Sequence, residues 1–183
     1  MKVQVIYSSL SGCTKKLAQG IYDGLGDVEK SIHDLAEGEP ALDGDILLLG
    51  YWVDKGGPNA QMKAFMDKLE GKTVGVFCTL AYWADAAHGT GSLTAGIDAV
   101  KEKNTVIGGY VCNGHISDKM IESFRNRPRD SHHSATPESE LRWKLMAAHP
   151  TAAEIAMGAE RFRERVELYG MFQENKLTFR SIV

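Results

Sequence analysis

The chain is short of the residues that staple, span or strongly charge a protein. Its three cysteines, Cys13, Cys78 and Cys112, are an odd count with no CxxC pair. That argues against a disulfide framework and against a thiolate zinc or iron–sulfur site. No apolar run approaches the roughly 20 residues of a membrane span; the longest lies at residues 46–53. The opening Met1-Lys2-Val3-Gln4-Val5-Ile6-Tyr7 turns polar at Ser8, too soon for a signal-peptide core. A net charge of −3 gives no basic footprint for nucleic acid or for an anionic membrane. These absences predict a protein of the reducing cytoplasm, with neither nucleic acid nor membrane as a partner.

What is present is an ordinary globular balance. The 183 residues are 43% apolar and 25% charged, which suits a single domain over 1–183. No repeat or low-complexity stretch interrupts it. Residues 3–7 read as a first strand, and a helix opens at Thr14 with Leu17, Ile21 and Leu25 on one stripe, ended by Gly26. Residues 28–34 form a weaker second strand. Residues 45–49 are apolar without alternation, as in a strand covered on both faces. Met62, Phe65, Met66 and Leu69 mark an amphipathic helix stopped by Gly71. Strands at 73–78 and 105–112 flank a helix carrying Leu93, Ile97 and Val100. Ile155, Ala159, Phe162, Val166 and Tyr169 step along the clearest helix. The alternation predicts βαβ units and a parallel sheet with helices on both faces. The link 36–44 is too short and breaker-rich for a helix. Residues 114–150 are an extra segment, read as two short helices around the loop at 125–130, and 170–183 form a tail that is strand-like near its end.

After the first strand, Ser8-Ser9-Leu10-Ser11-Gly12-Cys13-Thr14 runs directly into a helix. Gly12 lets the backbone turn its N–H groups toward one point. Ser9, Ser11 and Thr14 add hydroxyl donors, and the helix start adds free amides and a positive dipole end. Such a bend suits a dianionic phosphate. Each bond to the charged group is worth about 1.5–3 kcal/mol, and the dipole about 0.3–2 kcal/mol. Three or four bonds cover much of the roughly 8–12 kcal/mol of a micromolar-to-nanomolar ligand. Taken alone, the cluster reads equally as a turn with Thr14 as helix cap. Neither GxxxxGK[ST] nor GxGxxG is present.

Ser9-Leu10-Ser11-Gly12-Cys13-Thr14 resembles the [ST]-x-[ST]-G-x-T phosphate loop of flavodoxins. The stretch from Gly50-Tyr51-Trp52-Val53-Asp54-Lys55-Gly56-Gly57-Pro58-Asn59 to Leu69 resembles the flavin loop and following helix of the flavodoxin-like superfamily. Val111-Cys112-Asn113-Gly114, an insert and His149-Pro150 are similar to a subgroup within it. The resemblance implies an α/β flavodoxin-like fold: a three-layer, doubly wound, five-stranded parallel sheet of order 2-1-3-4-5, with the helical insert 114–150 before the C-terminal helix. It implies FMN at the carboxyl ends of the strands, as the general crevice rule requires. By that match Ser9, Ser11, Gly12, Cys13 and Thr14 hold the phosphate. The loop residues Tyr51, Trp52, Val53, Asp54, Gly56 and Gly57, with Leu80, Tyr82, Trp83 and His88, flank the ring. Trp52, Tyr82 and Trp83 are the stacking candidates, and Asp54 and Asp85 are candidates for tuning the cofactor by their charge. Asp54-Lys55-Gly56-Gly57 offers adjacent glycines for a peptide that turns with redox state. Cys13 reads as a small filler rather than a redox thiol.

The function implied is an electron-transfer flavodoxin that shuttles between a reductase and an acceptor, as a monomer or weak dimer. Relatives in the subgroup accompany bilirubin reductase, which implies supply of electrons to such an enzyme. The alternative is an FMN-dependent NAD(P)H oxidoreductase acting on a quinone or other small molecule, with the insert walling a pocket. Arg125, Arg127 and Arg129 in the insert are candidates for docking an acidic partner or a carboxylate. Adjacent His132 and His133 are too few for a metal site. A receiver domain is excluded, because Ser8-Ser9 and Gly50-Tyr51 stand where it needs acidic residues.

Overall fold

The computed structural model describes residues 1–131 and 134–182. In chain order the elements are β1 (Lys2–Tyr7), α1 (Cys13–Gly24), β2 (Glu29–Asp34), a 3-10 turn (Leu35–Glu37), β3 (Ile46–Asp54), β4 (Gly57–Pro58), α2 (Ala60–Met66), β5 (Thr73–Leu80), α3 (Ala87–Asp98), β6 (Thr105–Asn113), α4 (Asp118–Arg125), α5 (Pro137–Met146) and α6 (Ala152–Glu174). The long strands form a parallel sheet in the order β2-β1-β3-β5-β6. The two-residue β4 folds back antiparallel on the end of β3. Setting β4 aside, the order is the expected 2-1-3-4-5.

Strand parity divides the sheet between two cores. Val3 and Val5 of β1, with Ile46 and Leu48 of β3, pack under α1 and α6 against Leu17, Ile21, Phe162 and Val166. Ile6, Leu47, Leu49 and Tyr51 face the other way, against Met62, Phe65 and Met66 of α2. Both faces of β3 are therefore dry, which is why its sequence shows no alternation. Helices α1 and α6 lie close together because α1 is bare at Gly20, where a Cβ would stand 2.1 Å from the Ile155 side chain.

The link between β2 and β3 holds only the single 3-10 turn. Gln4, 2% exposed in the sheet, takes the place of helix packing there: its Nε2 donates to Ala41 O at 2.9 Å, and its Oε1 accepts from Gly44 N at 2.8 Å. In the insert, Arg125 of α4 makes a two-pronged bond to Glu140 of α5 at 2.7 and 2.6 Å. The chain beyond α6 turns back, with Phe179 against Tyr169 and Phe172. Ile182 N then donates to Val106 O at 2.9 Å and Ser181 Oγ accepts from Val106 N at 3.0 Å, on the outer strand β6. No described helix is long and apolar enough to cross a membrane.

Three local expectations shift. Helix α1 is preceded by Gly12 rather than capped by Thr14. Helix α2 ends at Met66, and the chain reaches Leu69 through tight turns. Strand β3 continues past the apolar run to Asp54.

Candidate functional site

The bend after β1 is set by Gly12, whose φ of +89° lies in the left-handed region. Among the described residues, no acceptor is bonded to the amides of residues 9–14; the next two along the chain are taken, Lys15 N by Ser9 Oγ at 3.3 Å and Lys16 N by Gly12 O at 3.0 Å. The first helical amides have no partner in any helix. Here the Ser9 hydroxyl substitutes at Lys15 only, since Gly12 has no side chain to cap with.

The side chains of the bend divide by direction. Ser9 and Ser11 are half-buried. Thr14 is turned inward, 1% exposed, with its Oγ1 2.9 Å from Thr79 Oγ1 of β5. It brings an amide to the bend and locks α1 to the sheet through its hydroxyl. Cys13 is 2% exposed. Its sulfur accepts from Ser11 Oγ at 3.2 Å and from His115 N at 3.3 Å. That burial fits the filler role and leaves the thiol no route to solvent. Behind the bend, Asn59 Nδ2 donates to Ser8 Oγ and Ser8 Oγ donates to Gln61 Oε1, each at 3.0 Å.

A cleft of about 440 Å³, counted with its open mouth, lies beside the bend at the carboxyl ends of β1, β3, β5 and β6. Leu10 and Ser11 of the bend border it, as do Trp52 and Val53 of β3 and Leu80 of β5. Residues 53–58 form a two-residue hairpin in which Lys55 (φ +51°) and Gly56 (φ +81°) both have positive φ. That is the turn type matched to the twist of paired strands. Asp54 and Gly57 close the turn as its paired ends.

Tyr51 does not face the cleft. It is fully buried on the α3 side, its hydroxyl donating to Ser92 O at 2.7 Å. Burial raises that hydroxyl far above its ordinary pKa, and burial also pushes the neighbouring Cys78 thiol up to about 12. Tyr82, Trp83 and His88 form their own aromatic cluster at the outer edge, with Tyr82 edge-on to Trp83 at 5.0 Å and to His88 at 5.9 Å. Trp83 is 39% exposed, His88 and Asp85 are exposed, and the Arg142 guanidinium of α5 lies 5.2 Å from the Tyr82 ring centre.

The insert completes the cleft. Gly114, His115, Ile116, Ser117 and Met120 form its remaining wall. Gly114 stood out in the sequence only as part of a subgroup motif and the other four not at all, although the end of a parallel strand is where a ligand is expected, and Gly114 and His115 directly follow β6. The insert arginines are partly spent at home. Arg125 is held by Glu140, and Arg127 lies over the Phe124 ring at 4.7 Å. His132 and His133 fall outside the described residues.

Comparison with known proteins converges on one family. The flavodoxin domain matches residues 4–163. A flavodoxin-like domain-containing protein BilS of Clostridioides difficile is 32% identical over 129 residues, covering 68% of this chain and 73% of that protein. The BilS protein of Clostridium symbiosum is 24% identical over 143 residues, covering 69% and 75%. Among solved structures, a Fusobacterium nucleatum flavodoxin bound to flavin mononucleotide superposes with a TM-score of 0.51 at 15% identity, covering 89% of this chain and 97% of the other.

Proposed function

We propose, from the premise that the chain belongs to the flavodoxin domain family, that it binds FMN and carries electrons between redox partner proteins, including supply of a reductase, as a monomer or weak dimer. The observation that carries this reading is the row of amides at 9–14 around the Gly12 bend, without an acceptor among the described residues, beside the cleft. A buried or half-buried amide without a partner is costly, and a phosphate monoester supplies the acceptors that the row lacks. The donor set is neutral and preformed, so the bend need not reorganise to hold an anion.

Bound FMN would supply the redox chemistry. This chain's residues would bind, orient and shield it. Ser9, Ser11, Gly12, Cys13 and Thr14 would hold the phosphate by backbone amides, with hydroxyls from the two serines. Trp52, Val53 and Leu80 would exclude water from the ring. The Lys55–Gly56 turn would present its peptide groups to the ring's edge. Tyr82 and Trp83 would meet the ring or a docking partner from the outer side.

The test is titration of the folded, flavin-free protein with FMN, followed by flavin absorbance and fluorescence. Saturable 1:1 uptake is expected at micromolar concentration or below, with riboflavin binding more weakly. A well-folded protein that takes up no FMN would overturn the reading. The insert wall at His115, Ile116 and Met120 favours one second reading, an FMN-dependent NAD(P)H oxidoreductase acting on a quinone or other small molecule. Steady oxidation of NAD(P)H by the isolated holoprotein with a quinone would select it over the carrier.

A further inference from the structure

Arg142 of α5 is a cation without an anion. Its guanidinium carbon lies 5.2 Å from the centre of the Tyr82 ring, and its Nε is buried with no acceptor. The two terminal nitrogens are neither bonded nor sealed in among the described residues, so they reach the surface as a free fork. Asp85, on the same loop as Tyr82, is exposed and does not pair with it. Arg125 on the neighbouring helix shows the contrast, since Glu140 holds it with two bonds. A guanidinium carries five N–H donors and no acceptor. A buried donor of such a group, left without an acceptor, points to a partner that is absent.

Beneath the fork the surface is aromatic. Tyr82 directly follows Ala81, which borders the cleft. Its ring meets Trp83 edge-on at 5.0 Å, and Trp83 is 39% exposed. A fork of N–H donors matches the two oxygens of a carboxylate, and an open indole offers apolar surface to a flat ring. We propose that Arg142, Tyr82 and Trp83 form a binding site for a planar aromatic acid at the outer side of the cleft. The carboxylate sits on Arg142 and the ring lies against Trp83. The site takes a second small molecule beyond FMN and does not depend on FMN being bound. Its charged half comes from the insert and its aromatic half from the loop after β5.

Three probes separate the parts of the site. 2-Naphthoate brings a charge and a flat ring, 2-naphthamide the ring alone, and cyclohexanecarboxylate the charge alone. Affinities would be measured by calorimetry on the protein as purified and again with excess FMN. The position of the probe would be read from the indole N–H resonances of Trp52, Trp83 and Trp143. The expected result is that naphthoate binds about tenfold more tightly than naphthamide, the size of one charge-assisted bond at its low end. It also binds more tightly than cyclohexanecarboxylate, and excess FMN changes neither preference. Naphthoate should move the Trp83 resonance and leave Trp52, which borders the cleft, in place.

Arg142→Gln should bind naphthoate no better than naphthamide while melting close to the native protein. Arg142→Lys keeps a cation above Tyr82 without the fork, and should hold naphthoate at an intermediate affinity. Trp83→Leu should erase the advantage of naphthoate over cyclohexanecarboxylate. The inference fails if the native protein binds no naphthoate at millimolar concentration, or if naphthoate moves Trp52 and not Trp83, or if excess FMN displaces it, since the probe then occupies the cleft. It fails equally if folded Arg142→Gln keeps the native preference for naphthoate over naphthamide. Should Arg142→Gln melt early, Trp83→Leu decides, and an undiminished preference over cyclohexanecarboxylate there overturns the site. A Trp83 resonance that moves with protein concentration and not with naphthoate marks a contact between copies, and also overturns it. Uptake of FMN is a separate measurement, so either reading can fall while the other stands.

Discussion

Gly12 and Gly56 each hold a backbone conformation that an L side chain adopts only at a cost, about 1–2 kcal/mol per residue. At Gly12 an added Cβ would meet nothing within 4 Å, so the whole effect of Gly12→Ala is conformational. Loss of about 1 kcal/mol in urea unfolding is expected, with FMN affinity falling more than riboflavin affinity because the amide row is displaced. In the hairpin the two adjacent glycines are not equivalent. Gly56 has φ +81°, whereas Gly57 pairs with Asp54 in β4 and an added Cβ there would sit 3.5 Å from Ala95. Gly56→Ala should therefore shift the reduction potential of bound FMN in a spectroelectrochemical titration, and Gly57→Ala should leave it near the native value. All three cysteines are free and buried, and burial raises the Cys78 and Cys112 thiols well above their usual range. A thiol reagent should find almost no reactive cysteine in the native protein and three after unfolding.

At the level of elements, the start of α6 ties the insert to the core. Thr151 caps the helix in a reciprocal box with Glu154, and the Glu154 carboxylate also accepts from Thr151 Oγ1 at 2.9 Å. Partial burial would raise its pKa, but the bonds from Thr151 and His149 outweigh burial and hold the carboxyl below the usual range. A depressed folded value means stability that is present above the unfolded value, about 4.3, and lost as pH falls through the folded one. The stability advantage of the native protein over Glu154→Gln should therefore be full at neutral pH and shrink below about pH 4, read from urea midpoints. The helical insert was legible because apolar spacing and breakers are local signals. Its wall on the cleft was not, since it depends on where β6 delivers the chain.

On the scale of the whole molecule, the sheet ends at β6, and the returning tail occupies part of that edge. An uncovered strand edge invites pairing with another chain. Removing residues 177–183 should cost about 2 kcal/mol, the burial of one aromatic side chain, through loss of Phe179 from its place against Tyr169 and Phe172. It should also increase self-association on size exclusion. The tail's residues read as strand-like, but the described part forms no strand and reaches the sheet only through the bonds of Ser181 and Ile182 to Val106, a partner no local pattern names.

The sequence by itself determined the alternation of strands and helices, the helix-free link after β2 and the bend at Gly12. Those follow from apolar periodicity and turn chemistry, which act between near neighbours along the chain. The inward turn of Tyr51 was also within reach, since it shares strand parity with Leu47 and Leu49. Only the tertiary structure decided that His115 lies against Cys13, 102 residues earlier, that Thr14 spends its hydroxyl on Thr79, and that the insert arginine Arg125 is held by Glu140. Contacts of that kind are set by the packing of distant elements onto one sheet, and no local pattern encodes them.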